Sequence, residues 1–346
     1  MPVNAWGLAT KDCDSCGHYL PALCGWLNGG PSGTVSSIAP QEATLPEQKL
    51  SIILNPSAGK KGGDPDQLRS LFQKYGINPS ILVVSKGTDL RNLALEGVRK
   101  KEKVIVAGGG DGTVNAVSSV LAGTDSALGV LPLGTLNHFA KDLGLPLEIP
   151  DAVQVIAQQY VSTVDVGQVN ERTFVNNSSL GTYPSIVSER ERLQRTGFQK
   201  WVALLVASFK VLRRLPPITV RLKIDGKSLV RTTHFVFVGN NEYEIEGTKL
   251  GTRRRLDAGH LVLYIADTKT RKDLVRLAFR TFIGRHSWNE FEIIHTQELW
   301  IESKRPHLHV SFDGEVARMK TPLHYRILPH ALRVIVSRPS RVQELK

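Results

Sequence analysis

A glycine-rich segment carries the strongest chemical signal in this sequence. Residues 108–113 spell Gly-Gly-Gly-Asp-Gly-Thr, directly after the apolar run Val104–Ala107 and before a helical pattern that starts near Val114. Glycines let a ligand approach the backbone closely, and the N–H groups that open a helix bind anions such as phosphate. Asp111 is the only charge in the segment, and a carboxylate beside a phosphate requires a bridging cation such as Mg²⁺. The segment therefore predicts a phosphate and magnesium site; a tight strand-to-helix turn is the weaker alternative.

Other polar or glycine-containing loops follow neighbouring apolar strands. They are residues 55–63, which include Lys60 and Lys61, residues 85–88, and residues 132–137. The first of them does not satisfy the Walker A pattern. Because ligands of open α/β sheets bind at the carboxyl ends of the strands, the loops should meet at one edge. Together with Asp111 they predict a nucleotide cleft.

Two carboxylates flank a glycine late in the chain. Asp313 and Glu315 follow the predicted strand His307–Phe312. Strand alternation would put both side chains on one face, where one carboxylate can hold metal and the other accept a proton. Asp-Gly is also a common turn dipeptide, and taken alone the turn interpretation is favoured.

The elements that must position these residues change character along the chain. From Leu50 onward, short apolar strands alternate with helical patterns, which indicates a parallel sheet covered by helices. From about Val164, strand patterns follow one another with few helices between them, which indicates a mostly antiparallel β domain. We predict four segments: a loosely ordered extension (1–47), a first domain (48–163), a β-rich second domain (164–337) and a tail (338–346).

Composition narrows the class of protein and the partners. The 346 residues are 41% hydrophobic and carry a net charge of +12, which excludes a wholly disordered chain and favours an anionic partner. All three cysteines, Cys13, Cys16 and Cys24, lie in the predicted extension, where a zinc or redox site is the less favoured interpretation. No apolar run approaches the ~20 residues of a membrane-spanning helix, and no signal-peptide pattern is visible. We expect a cytoplasmic protein, peripheral at the inner face of a membrane.

The motifs together resemble the diacylglycerol kinase catalytic-domain family, which includes bacterial soluble lipid kinases and sphingosine and ceramide kinases. Asn-Pro-x-Ala-Gly, Gly-Gly-Asp-Gly-Thr, Pro-Leu-Gly-Thr-Leu-Asn-His-Phe-Ala and Asp-Gly-Glu occur in the family's order and approximate spacing, from about Leu50 to Ser337. The resemblance implies an α/β first domain of the phosphofructokinase and NAD kinase type and an antiparallel β-sandwich second domain. It also implies ATP- and Mg²⁺-dependent phosphorylation of a lipid hydroxyl.

The resemblance assigns roles to individual residues. Glu315 matches the family's proton acceptor, Asp111 the acidic residue of the glycine loop, and Asp313 a metal-binding or positioning carboxylate. The implied nucleotide-binding set is Asn55, Pro56, Ser57, Gly59, Lys60, Ser85, Gly108, Gly109, Gly110, Asp111, Gly112, Thr113, Val114, Gly134, Thr135 and Asn137. Where bacterial members carry a second Asp for a structural Mg²⁺, this chain has Ala258. That site is doubtful, with Asp257 as the remaining ligand and Arg253 to Arg255 upstream disfavouring a cation.

A predicted helix over residues 199–214 has an apolar stripe flanked by basic side chains, which is typical of a membrane surface or of a packed helix. We therefore expect a lipid partner, no nucleic acid, and leave a homodimer open. Two alternatives remain: an NAD-kinase-like enzyme with a soluble acceptor, and a non-catalytic lipid- or nucleic-acid-binding protein. The soluble-acceptor alternative explains Gly-Gly-Asp-Gly but not the Asn-Pro-x-Ala-Gly opening.

Overall fold

The computed structural model describes residues 50–56, 63–85, 89–181, 217–244, 251–253, 255–266 and 291–338. The first part of this chain alternates strands and helices. Its elements are β1 (Leu50–Leu54), α1 (Pro65–Gln73), β2 (Ser80–Val83), α2 (Leu90–Arg99), β3 (Val104–Gly109), α3 (Asp111–Leu121), β4 (Ala127–Pro132), α4 (His138–Asp142) and α5 (Ile149–Gln158).

The second part consists of strands within the described residues. They are β5 (Val161–Val169), β6 (Arg172–Phe174), β7 (Asn177–Gly181), β8 (Ile218–Ile224), β9 (Lys227–Thr233), β10 (Phe235–Asn240), β11 (Tyr243–Glu244), β12 (Thr252–Arg253), β13 (Leu261–Ala266), β14 (Phe291–Thr296), β15 (Glu298–Ser303), β16 (His307–Phe312), β17 (Glu315–Lys320) and β18 (Leu323–Ile335).

The first part is built on parallel strands in the order β2-β1-β3-β4. Every residue of β1, β3 and β4 is buried, as expected for parallel strands with both faces covered. Asp64 and Asp89 cap α1 and α2 by accepting hydrogen bonds from backbone N–H groups of the first turn. The predicted α/β architecture with a parallel sheet is confirmed.

The second part is an antiparallel β-sandwich, also as predicted. One layer has the strand order β14-β13-β10-β7-β16-β17, and it packs against β8, β15 and β18 of the other sheet. The core between the layers includes Val236, Leu263 and Val310 from the first layer and Leu222 and Leu299 from the second. Strict alternation of buried and exposed residues in β8 reflects one face on this core and one in solvent.

Strand β18 joins the two parts. It pairs antiparallel with β5 and β15, and near its end Val334 pairs in parallel with Leu128 of β4. The ten-stranded sheet therefore continues from the parallel strands into the sandwich. The boundary predicted between residues 163 and 164 falls inside the continuous strand β5, and the domain limits stay a prediction.

Local differences from the predicted elements have simple causes. Helix α3 begins at Asp111 instead of Val114, because Gly110 already serves as its N-cap. The run 232–238, predicted as one strand, contains the end of β9 and the start of β10. The predictions missed α5, β5, β7, β11, β12, β17 and most of β9. The predicted helices 199–214 and 272–283 and the extension 1–47 lie outside the described residues. In the described parts of the chain, no helix is long and apolar enough to cross a bilayer.

Candidate active site

A cleft of about 440 Å³ opens at the carboxyl edge of the parallel strands. It is lined by residues from four different segments, which are Asn55, Leu90, Gly110, Asp111, Gly112, Thr113, Gly134, Thr135 and Leu136. The structure thus brings together the loops that follow β1, β3 and β4, as their positions in the sequence predicted. Leu90 at the start of α2 and Leu136 are additional lining residues that were not predicted.

Hydrogen bonds hold the three loops in register. The N–H of Asn55 donates to the carbonyl of Gly108 at 2.8 Å, and its side-chain amide donates to Thr113 Oγ1 at 3.2 Å. The N–H of Leu133 donates to the carbonyl of Gly109 at 3.0 Å. The shape of the cleft is therefore fixed by the backbone before any ligand binds.

The loop after β4 packs against the glycine loop without room for a side chain. Asn137, which has a left-handed φ of 51°, donates its side-chain amide to the carbonyls of Pro132 and Gly134. A Cβ at Gly134 would stand 2.5 Å from Gly110 Cα and 2.7 Å from Asn137 Oδ1. Glycine is required at residue 134 because the obstruction includes backbone, which cannot rotate away.

The variant Gly134→Ala is therefore expected to distort the cleft. The loop after β4 must move away from Gly110, so we expect ATP affinity to fall by about tenfold or more, a loss of roughly 1.4 kcal/mol. Isothermal titration calorimetry with ATP measures this. Gly144→Ala is the control for a general loss of stability, because Gly144 has a left-handed φ of 66° and lies outside the residues that line the cleft. Wild-type ATP affinity in Gly134→Ala would show that this contact does not shape the site.

Asp111 stands at the first position of α3 with one carboxylate oxygen unused. Its Oδ1 is buried and has no hydrogen-bond partner among the described residues. Gly110, the N-cap, provides no side-chain hydrogen bond to the first turn of α3. The N–H groups of Thr113 and Val114 already donate to the carbonyl of Gly110, which leaves the N–H groups of Asp111 and Gly112 for an anion. The orphaned carboxylate oxygen of Asp111 is available for a cation. This donor set fits a nucleotide phosphate with Mg²⁺, which binds through one or two carboxylates and phosphate oxygens.

Glu315 begins β17 and forms an ion pair across the two parts of the protein. Arg91 Nη2 donates to Glu315 Oε1 at 3.0 Å and to Oε2 at 3.1 Å, while Arg91 Nε donates to Ser119 Oγ of α3 at 3.4 Å. Both side chains of the pair are partly exposed, at 35% and 41%. Ser119 lies eight residues after Asp111, about 12 Å along the axis of α3. Because Ser119 is the third-last residue of α3, the Glu315 carboxylate is held through Arg91 near the C-terminal end of that helix.

Asp313 is placed by a turn and not by strand alternation. Asp313 and Gly314 have left-handed φ values of 46° and 86° between the paired residues Phe312 and Glu315, as in a two-residue hairpin turn. The expectation that alternation carries both carboxylates onto one face is wrong, because Asp313 lies outside the strands. The turn interpretation of Asp-Gly is the one observed.

The carboxylate of Asp313 is fully engaged with backbone. It accepts hydrogen bonds from the N–H groups of Val175, Asn176 and Asn177 at 2.7, 2.8 and 3.0 Å. Burial raises the pKa of Asp313 to about 6, although these N–H donors act in the opposite direction. Of the two roles predicted for Asp313, the contacts favour positioning of the turn over coordination of Mg²⁺.

A buried arginine connects this turn to the cleft. The guanidinium of Arg253 donates to Asp142 Oδ2 at 2.7 and 2.9 Å, and both side chains are almost completely buried. It also donates to the carbonyls of Val175 and Asn240 and to Asn176 Oδ1. Asp142 ends α4, the helix that follows the Gly134 loop. The cleft, the 175–177 segment and the turn before Glu315 therefore form one hydrogen-bonded unit.

The doubtful metal site at Asp257 receives no support. Asp257 Oδ1 accepts from Arg255 Nε at 3.1 Å, and both side chains are exposed. The nearby buried carboxylate of Asp165 instead accepts from the N–H groups of Gly259 and His330 and from the Asn241 amide. Across the described ranges, no three His, Cys, Asp or Glu side chains converge on a metal position.

The remaining predicted residues fall into three groups. Val114 is buried in the hydrophobic core, so its side chain does not line the cleft. Pro56 and Ser85 are exposed and lie outside the lining. Ser57, Gly59 and Lys60 lie outside the described residues. Their contacts with a nucleotide stay predictions.

Sequence reasoning did not find Arg91, Asp142, Asn176 or Arg253. Arg91 and Glu315 are 224 residues apart, and Asp142 and Arg253 are 111 residues apart. No local pattern links such partners. For Asp142 and Arg253 the signal would be a charged residue at a buried position, and the sequence alone does not distinguish Arg253 from its neighbouring arginines.

Comparison with known proteins shows which proteins this two-part fold and its cleft resemble. Residues 49–169 match the family model described as the diacylglycerol kinase catalytic domain. Residues 186–336 match the model described as the YegS C-terminal NAD kinase beta sandwich-like domain. The two matches together span most of the chain from residue 49 to residue 336. They confirm the resemblance, drawn from the motifs, to the diacylglycerol kinase catalytic-domain family, a family of lipid kinases.

Individual relatives agree. The chain is 27% identical to a diacylglycerol kinase of Staphylococcus saprophyticus over 245 residues, which covers 69% of this chain and 80% of the relative. It is 27% identical to one of Staphylococcus aureus over 273 residues, covering 78% and 86%. A crystal structure of a putative diacylglycerol kinase from Bacillus anthracis has the same fold, with a TM-score of 0.64, 23% identity, and coverage of 84% of this chain and 97% of that one.

Proposed function

We propose that this protein transfers the γ-phosphate of Mg²⁺·ATP to a hydroxyl group of a membrane lipid. The observation that carries this proposal is the cleft, in which the loops after three parallel strands surround the orphaned carboxylate oxygen of Asp111. Ligands of open α/β sheets bind at this edge, and phosphates bind at helix N-termini such as that of α3. The curated relatives named diacylglycerol kinase support a lipid as the acceptor.

The phosphate groups belong in the Gly110–Thr113 loop at the first turn of α3. Thr113 Oγ1 is already oriented by the Asn55 amide, and Gly134 and Thr135 form the opposite wall. Asp111 would hold Mg²⁺ through Oδ1, and when bound the cation neutralises charge on the phosphate oxygens. Asn55 and the glycines position the reacting groups, which is most of what phosphoryl transfer requires of a protein.

Glu315 is the proposed proton acceptor. It takes the proton of the lipid hydroxyl as the oxygen of that hydroxyl bonds to the γ-phosphorus. The bond from the γ-phosphorus to the β–γ bridging oxygen breaks, and ADP leaves with the electron pair. General-base assistance of this kind contributes about 10²- to 10⁴-fold to a rate. The lipid must therefore place its hydroxyl between the Asp111 end of α3 and the Glu315 carboxylate.

Arg91 is a positioning residue in this scheme. Its guanidinium contacts both oxygens of Glu315 and the Ser119 hydroxyl, so it fixes the carboxylate relative to α3. The same α2 helix turn contributes Leu90 to the cleft wall. Arg91 thus couples the nucleotide end of the site to the acceptor end.

The variant Arg91→Ala is expected to lower kcat by about tenfold to a hundredfold with little change in the KM for ATP, because a misplaced base loses near-attack geometry. Arg91→Lys should recover part of kcat, since an ammonium still reaches one oxygen. Steady-state kinetics on both variants measures this split. Unchanged kcat in Arg91→Ala, or a change confined to thermal stability, would contradict a positioning role.

The choice of acceptor is tested by offering three candidate acceptors in separate reactions. Purified protein with Mg²⁺ and ATP labelled at the γ-phosphate is offered diacylglycerol in detergent micelles, ceramide in micelles, or NAD⁺ in solution. Label in one of the lipids supports the proposal. Label in NAD⁺ would support the soluble-acceptor alternative. If none of the three acceptors raises ATP consumption above the rate without acceptor, a non-catalytic binding protein is favoured.

A further inference from the structure

The outer face of the hairpin β16–β17 carries an unusual group of charges. His307 lies directly opposite Lys320, and His309 directly opposite Arg318, and all four side chains are exposed. The exposed residues Lys304 and Arg305 precede β16 in the connecting loop. We call these six residues the basic hairpin face: Lys304, Arg305, His307, His309, Arg318 and Lys320.

No described carboxylate forms an ion pair with this face. Elsewhere on the sandwich, some basic side chains have carboxylate partners: Lys223 contacts Glu302 at 2.6 Å, and Arg231 forms two hydrogen bonds with Glu292. On the hairpin, by contrast, basic residues stand directly opposite other residues able to carry positive charge, an arrangement that destabilises a sheet. Because these charges do not stabilise the folded hairpin, their arrangement favours an anionic partner outside the chain.

On the same side of the sheet, the residues beyond the basic hairpin face are buried. The strand register places Ser311 beside Ser179, Ser179 beside Phe237, and Phe237 beside Tyr264. Residues directly opposite one another in neighbouring strands share a face. The Phe237 ring packs edge-to-face on the Tyr264 ring at 5.7 Å. Ser311, Ser179 and Tyr264 are buried, so the exposed part of this side of the sheet is its basic β16–β17 edge.

The same hairpin carries the proposed base at its far end. β16 runs from His307 to Phe312, about 17–20 Å for six residues, and the turn after it leads to Glu315. Glu315 points to Arg91, on the opposite side of the strand from Arg318 by alternation. A surface bound at the basic hairpin face would thus lie one strand length from the reacting carboxylate.

We propose that the basic hairpin face docks this protein on an anionic membrane surface. The choice of a membrane rests on the proposed lipid acceptor; the existence of an anion-binding face rests on the hairpin alone. A membrane fits better than a nucleic acid because these charges share a hairpin with Glu315 at the proposed acceptor end of the site. Basic side chains near an anionic leaflet each strengthen binding by about fivefold.

The test is co-sedimentation of the full chain with vesicles, without nucleotide. Vesicles of phosphatidylcholine are compared with vesicles containing about one-third phosphatidylglycerol. The variant Arg318→Glu/Lys320→Glu is compared with Lys74→Glu/Lys227→Glu, which makes the same change in net charge at exposed residues elsewhere. Circular dichroism melting verifies that all these surface variants are folded.

We expect the wild type and the Lys74/Lys227 variant to bind phosphatidylglycerol vesicles, and the Arg318/Lys320 variant to bind about 25-fold or more weakly. Equal binding by both variants, or equal binding to both kinds of vesicle, would overturn the proposal. So would tight salt-dependent binding of duplex DNA that is lost in the Arg318/Lys320 variant while vesicle binding is absent. If vesicle binding does not depend on the basic hairpin face, lipid phosphorylation in micelles can still occur. The two assays therefore distinguish failure of this proposal from failure of the proposed function.

Discussion

Glu315→Gln is expected to reduce kcat by about 10²- to 10⁴-fold while ATP affinity stays within about twofold of wild type. The amide has nearly the same size as the carboxylate and can still accept a hydrogen bond from Arg91, but it cannot take a proton from the acceptor hydroxyl. Glu315 does not line the ATP cleft, so nucleotide binding should be preserved. Steady-state kinetics in lipid micelles and calorimetric titration with ATP measure the two quantities.

The matched control for this prediction is Glu302→Gln. Glu302 is another partly exposed carboxylate on a sandwich strand, paired with Lys223 and remote from the cleft. The same chemical change there should leave kcat near the wild-type value. A Glu315→Gln enzyme with normal kcat would show that Glu315 is not the proton acceptor. Asp111 would then be the remaining candidate for that role.

Arg253→Met is expected to destabilise the protein by about 3–5 kcal/mol. Methionine fills the volume but leaves the Asp142 carboxylate buried without its partner, and it frees the carbonyls of Val175 and Asn240. The substitution should also lower kinase activity, because Arg253 and Asp313 both fix the 175–177 segment next to Glu315. Urea unfolding followed by tryptophan fluorescence measures the change in the free energy of unfolding.

Two further variants make this prediction specific. Arg255→Met removes an exposed arginine paired with Asp257 and should cost less than about 1 kcal/mol. Adding Asp142→Leu to Arg253→Met should recover part of the stability, because the uncompensated buried charge is then gone. An Arg253→Met protein as stable as Arg255→Met would show that the buried pair contributes little.

Much of the nucleotide end of the site follows from local sequence. The runs Leu50–Leu54 and Val104–Ala107 are continuous and apolar because the strands are buried on both faces, and the glycine loop follows from the need for close backbone approach. The order of strands and loops along the chain then places Asn55, Asp111 and Thr135 at one edge. This part of the site is predictable because each piece is encoded by neighbouring residues.

The acceptor end is not encoded in this way. Glu315 is oriented by Arg91 from the other part of the chain, and the turn at Asp313 is held by backbone N–H groups of residues 175–177. Alternation failed at Asp313 because the two-residue turn begins there and ends the strand. These contacts depend on packing between elements far apart in sequence, and only the folded chain reveals them.

The central claim is that this cleft moves the γ-phosphate of ATP to a lipid hydroxyl. The most direct measurement incubates the protein with Mg²⁺, γ-labelled ATP and a total lipid extract, separates organic and aqueous phases, and identifies the labelled molecule by mass spectrometry. We predict label in the organic phase, on a lipid phosphate ester, with wild-type protein and almost none with Glu315→Gln. Label confined to the aqueous phase, or equal lipid labelling by the two proteins, would contradict the account.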